Sequence, residues 1–432
     1  MALINQLALP SIIIAPWLGA AFLLFIPEYE NTLRKRFALF TILLSMFLLS
    51  RNVFVLYKSK LLMLDLIALC PSFLNGSFQL RFDWIACIGM TSVLLVCFLL
   101  ISSRLGETNR DSQFFAKTLF VLGLANACFL FNHQGFFILL QLVLVQAFVI
   151  FHLLGKEPLR GSSALVAATF FAFVDLLAFL TWSFQTDLLN VFDPFYIALV
   201  VSFPALTRLI IPFLSPWARS FFAASSLDAS ILFVSFSFML AATSFARSVF
   251  INQSLATFAI VAALFSAVLS LSDESIQQFL IRLASIIASL VLFILTDSFM
   301  HMRLQALLIL ASFMLLFTVA MLVQRTLSES EDGIGQMHLF LMWFLCLCLV
   351  LASILELIPI KSPPWLAVFT ITAFSCARHI LSPMRPQRLK VLHFLSSGLS
   401  GLILFNAWLC FGLTLLVLIG VHLLIHKGGA LL

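Results

Sequence analysis

Apolar runs of about the length needed to cross a bilayer recur along this chain, separated by short polar breaks. A helix rises 1.5 Å per residue, so about 20 apolar residues cover the roughly 30 Å of hydrocarbon in a membrane. Such runs fall near 7–27, 37–57, 83–103, 115–132, 134–154, 163–183, 194–213, 227–246, 255–272, 279–298, 304–323, 338–358, 364–382 and within 392–425. The pattern predicts an all-α polytopic membrane protein of about 14 transmembrane helices, a single transmembrane domain over 1–432. The breaks are short, so sequence neighbours should pack antiparallel, and the longest polar stretch, "QRTLSESEDGIGQM", reads as a loop.

Composition agrees. The chain is 62% hydrophobic with 49 phenylalanines, and 10% charged, where a soluble domain carries about 25% charge. The opening "MALINQLALPSIIIAPWLGAAFLLFIPEYE" has no basic leader and too long an apolar core for a signal peptide, so it reads as the first span. The net charge of +6 forms no basic stripe on a soluble face and asks for no nucleic acid. Basic residues number thirteen in the loops after odd-numbered spans and seven on the other side. That bias makes the odd loops cytoplasmic and, with an even span count, puts both termini outside a bacterial inner membrane. The eight cysteines, Cys346 and Cys348 among them, lie mostly inside spans and read as small apolar residues.

Polar groups at membrane depth are expensive and mark function by default. Asp175 stands mid-span in "FFAFVDLLAFLTW", and Arg208 lies deep in the run that continues "TRLIIPFLSPW". Gln141 and Gln146 interrupt "FFILLQLVLVQAFVIF", and either could simply hydrogen-bond a neighbouring helix. Asp83, Arg282, Asp297 and His301 stand near span ends, where a loop partner or snorkelling suffices. For Asp175 and Arg208 two readings stay open: an ion pair between spans, which would be structural, or a hydrated cavity, which would be functional. Pro212 and Pro216 follow Arg208 and should break its helix, freeing carbonyls that protein or water must satisfy. A second interruption, "LIPIKSPPW" with Pro363 and Pro364, stands about 150 residues later and reads either as a second broken helix or as an ordinary loop. Paired broken helices are a device of transporters built from repeats.

Four segments carry a resemblance: "QLRFDWIACIGMTSVLLVCFLL", "TRLIIPFLSPWARSFFAASSLDASILF", "DESIQQFLIRLASIIASLVL" and "PPWLAVFTITAF". Residues from about 80 to 382 resemble the antiporter-like subunits of respiratory complex I, multisubunit sodium/proton antiporters, membrane-bound hydrogenases and DAB inorganic-carbon complexes. The resemblance implies fourteen spans and two inverted five-helix repeats, approximately 115–246 and 255–382, each with a broken helix. It implies a proton-translocating module inside a multi-subunit complex, beside a zinc-containing partner in the carbon-uptake type or redox subunits in the respiratory type. The departures are specific. The family's proton path runs along buried lysines paired with a glutamate, whereas this chain has Gln141 at the glutamate position, Arg208 at the broken-helix lysine and Gln277 at the next. Glutamine cannot titrate, and arginine does not deprotonate in proteins. A path here would run through Arg208, Asp175, Gln277 and water. The loss of lysines equally suits a non-conducting scaffold subunit of the same fold, and an independent secondary transporter is the remaining alternative.

No phosphate loop or metal-ligand cluster suggests a catalytic site, cofactor or metal. His422 and His426, four residues apart near the C-terminus, have the spacing to bind a metal on one helix face, but an interfacial helix end is the favoured reading.

Overall fold

The computed structural model describes residues 2–329, apart from 28, 60–61, 66–78, 104–112, 132–133, 153–157, 185–187, 189–193, 211–220, 223–225, 248–252, 274–275 and 297–299, together with short helical pieces between 367 and 375. Eleven helices are named here in chain order: α1 (Ala2–Phe25), α2 (Asn31–Ser59), α3 (Trp84–Ser103), α4 (Phe114–Leu130), α5 (Gln134–His152), α6 (Pro158–Ser183), α7 (Pro194–Arg208), α8 (Leu227–Arg247), α9 (Gln253–Ser270), α10 (Ile276–Leu295) and α11 (Met300–Glu329). Each of the first eleven predicted spans falls on one of them, and seven are long and apolar enough to cross a membrane. The spans expected at 338–358 and 392–425, and most of 364–382, lie outside the described residues. The protein is an all-α polytopic membrane protein. Its compact units are 1–250 and 251–432.

One element was not foreseen. Between α2 and α3 the chain forms two short antiparallel strands, β1 (Leu62–Asp65) and β2 (Gln79–Phe82), with Arg81 opposite Met63. β2 alternates half-buried Gln79 and Arg81 with buried Leu80 and Phe82, the period-2 signature of a strand, but four residues are too few to stand out between two long apolar runs.

In the first unit α8 is buried along almost its whole length, whereas α2 and α6 keep large apolar side chains exposed, among them Phe40, Phe47, Phe173 and Leu180. Lipid is as apolar as a leucine side chain, so helix association rests on close packing and polar contacts. The α1–α4 joint is the clearest case. Trp17 sits on Gly123, where an added Cβ would come within 2.4 Å of the indole, and its Nε1–H donates to the Phe120 carbonyl at 3.1 Å. Pro16 has no N–H for the Ile12 carbonyl one turn earlier. The buried Asn126 fills that vacancy from α4, its Nδ2 donating to Ile12 O at 3.2 Å. Gly19 against Thr41, Gly89 against Phe129 and Gly135 against Trp182 repeat the close-approach device at other helix pairs.

In the second unit α10 carries buried Ser285 and Ser289, and the Ser289 hydroxyl donates to the Ser285 carbonyl at 2.8 Å. Ser375 donates to the Ser270 carbonyl at 3.0 Å, tying the piece near residue 375 to the end of α9.

Candidate functional site

The site forms where α7 stops. Pro204 lies inside α7 and supplies no N–H to the helix ladder, which weakens its last turn. The helix ends at Arg208, and Leu209 N–H reaches only back to Leu206 O, at 3.3 Å. Ile210 then adopts φ 55°, a left-handed conformation that a β-branched side chain resists. The expected span to 213 is therefore too long: the helix ends ahead of Pro212, and the proline inside it is Pro204. Pro212, Pro216, Pro363 and Pro364 lie outside the described residues.

This abrupt end puts the Arg208 guanidinium into the protein interior, with no side-chain exposure. Nη2 donates to both carboxylate oxygens of Asp175, at 2.9 Å to Oδ1 and 2.6 Å to Oδ2, and Asp175 on α6 is equally inaccessible. Nη1 donates to the Pro204 carbonyl at 2.9 Å, and Thr207 Oγ1 donates to the same oxygen at 2.9 Å. Nε has no partner among the described residues. The guanidinium carbon stands 5.6 Å from the ring centre of Phe171, one helical turn before Asp175. Phe171 packs against Phe233 of α8, which also meets Phe148 of α5 and Phe221.

Gln141 belongs at this depth. Gly135 opposes Trp182 and Gln146 Nε2 donates to the Ala168 carbonyl at 2.9 Å, so α5 and α6 run antiparallel with a known register. Interpolating between those rungs puts Gln141 opposite residues 173–176, level with Asp175. Gln141 is buried and its Nε2 has no partner among the described residues. Two buried donors, Arg208 Nε and Gln141 Nε2, thus lack a partner among the described residues, the first at a charge pair packed against Phe171. Buried polar groups in native proteins are nearly always satisfied, by ordered water where protein offers nothing.

Asp83, also in the first unit, makes other contacts. Asp83 caps α3, its Oδ1 accepting from Ala86 N–H at 2.8 Å and from Arg247 Nη2 at 3.0 Å. Its Oδ2 stands 2.9 Å from Arg81 Nε, close enough for an ion pair but not aligned as a hydrogen bond. Arg282 lies 3.8 Å from the buried Asp273, an ion pair at the α9–α10 turn. Gln277 is in the first turn of α10, His301 is exposed at the start of α11, and Asp297 lies outside the described residues. Sequence reasoning passed over Asn126 and Pro204, although both break apolar runs, and it left Arg81 and Arg247 as loop charges.

No protein-family profile and no curated protein matches the sequence. Solved structures do. A chain of the membrane-bound sulfane sulfur reductase, an archaeal respiratory membrane complex, aligns over 98% of this chain and 97% of its own length, with a TM-score of 0.73 and 13% identity. A chain of respiratory complex I from Thermus thermophilus aligns over 94% and 97%, with a TM-score of 0.66 and 13% identity. The fold is shared with chains of two respiratory membrane complexes. Complex I is also one of the assemblies whose antiporter-like subunits four segments of this sequence resemble.

Proposed function

We propose that this chain is a membrane subunit of a multi-subunit, ion-coupled complex of the respiratory type, contributing an antiporter-like proton-translocation module. The observation that carries the reading is likeness along nearly the full length of both compared chains, joined to a buried charge pair where α7 breaks off. The boundary between the compact units, at 250/251, falls between the expected repeats 115–246 and 255–382, which supports a repeat-built module.

In this reading the Arg208 guanidinium sets the local field and orients water rather than carrying the proton itself. Protons would pass by way of water held at Arg208 Nε and Gln141 Nε2 and by Asp175. Partner subunits supply the driving reaction, redox subunits in the respiratory type or a zinc-bearing partner in the inorganic-carbon type, and both solved neighbours favour the former. Proton flux through the reconstituted complex, wild type against Arg208→Ala and Asp175→Asn, tests the module. Flux falling at least about tenfold in both is expected, and undiminished flux in both overturns the conducting role.

One observation favours a second reading. A guanidinium bonded to both oxygens of one carboxylate, with phenylalanine around it, also describes a lock that holds α6 to α7 in a non-conducting scaffold subunit. That reading predicts unchanged flux per assembled complex but fewer assembled complexes in the same two variants.

A further inference from the structure

Arg81, Asp83 and Arg247 form a cluster that the proposed proton path does not use. Two guanidiniums share one carboxylate, so among these three groups one positive charge is uncompensated. Arg247 spends Nη2 on Asp83 Oδ1, and Arg81 approaches Oδ2 through Nε; neither makes a further hydrogen bond or ion pair among the described residues. Asp83 is closed in at 8% side-chain exposure, while Arg81 at 33% and Arg247 at 17% are open on one side. Both arginine side chains are therefore part-exposed, although Nε of each is itself buried.

The cluster's level in the membrane follows from its elements. Asp83 immediately precedes α3 and Arg247 is the last residue of α8, and both helices are long and apolar enough to cross a bilayer. Their shared end lies where hydrocarbon gives way to head groups. Half-buried Trp84, next to Asp83, is the residue type that collects at that boundary. A guanidinium presents two parallel N–H groups at the spacing of phosphate oxygens, and charge-assisted pairs of this kind are about twice as strong as neutral ones. At this depth a phosphate arrives attached to a lipid.

We infer that Arg81 and Arg247 bind the phosphate of an anionic phospholipid head group, with Asp83 holding the two guanidiniums together. The bound lipid would brace the β1–β2 hairpin against the ends of α3 and α8.

The test uses the protein purified from its membrane in mild detergent with whatever subunits stay attached. Short-chain phosphatidylglycerol, short-chain phosphatidylcholine and inorganic phosphate are titrated in separate arms, reading melting temperature and, by native mass spectrometry, retained lipid. Phosphatidylglycerol should raise the melting temperature of wild type, with one lipid retained, more than phosphatidylcholine does. The double variant Arg81→Gln/Arg247→Gln should raise its half-maximal concentration at least about tenfold. Should that variant fail to fold, Arg81→Lys/Arg247→Lys keeps both charges and the pairing with Asp83 but loses the fork, and should weaken binding about threefold. An unchanged phosphatidylglycerol response in the double variant that folds overturns the site. Inorganic phosphate reproducing the whole wild-type shift overturns the lipid as occupant and leaves a free-anion site.

Discussion

At the scale of single residues, the Arg208–Asp175 pair is the most consequential arrangement in the chain. Both side chains are fully buried, so each charge depends on the other, and removing one partner leaves an uncompensated ion in an apolar surround. Breaking a buried pair this way costs about 3–5 kcal/mol, whereas replacing both partners by apolar residues of similar volume is often neutral or stabilising. Arg208→Ala and Asp175→Asn should each lower stability by about that amount in detergent unfolding. Arg208→Met with Asp175→Leu should recover most of it while leaving proton flux abolished, if the pair serves translocation. Recovery of flux along with stability would make the pair purely structural. The sequence made both residues conspicuous, as lone charges in apolar runs. It could raise an ion pair between spans but not decide for it, because residues 33 apart on different helices meet only through the packing of α6 and α7.

At the scale of elements, close approach and repair of broken ladders hold the helices together. The α1–α4 joint relies on Gly123 having no side chain beneath Trp17. Gly123→Ala forces the indole aside and should cost about 1–3 kcal/mol, the range for overpacking. A double-mutant cycle with Trp17→Leu checks the cause: the two costs should be clearly less than additive if the clash is the reason, and additive if it is not. Helix positions were legible because about 20 apolar residues in a row allow little else. Helix ends were less so. Pro212 drew attention as the breaker after Arg208, yet α7 already stops at Arg208, where Pro204 and the left-handed Ile210 bracket its last turn. The β1–β2 hairpin escaped notice because four-residue strands carry too few positions to show a period.

At the scale of the whole molecule, the account places this chain inside a larger assembly. In the proposed reading partner subunits supply the driving reaction, and both solved neighbours are chains of respiratory complexes. The departures from the resembled pattern, Gln141 and Arg208 in place of titratable groups, were readable from the sequence. Purification from the native membrane in mild detergent, with mass spectrometry of every chain that remains bound, tests the central claim most directly. The account predicts a stable complex containing redox subunits, iron–sulfur or quinone-linked. A protein that emerges alone, still intact and active on a small solute, would contradict it.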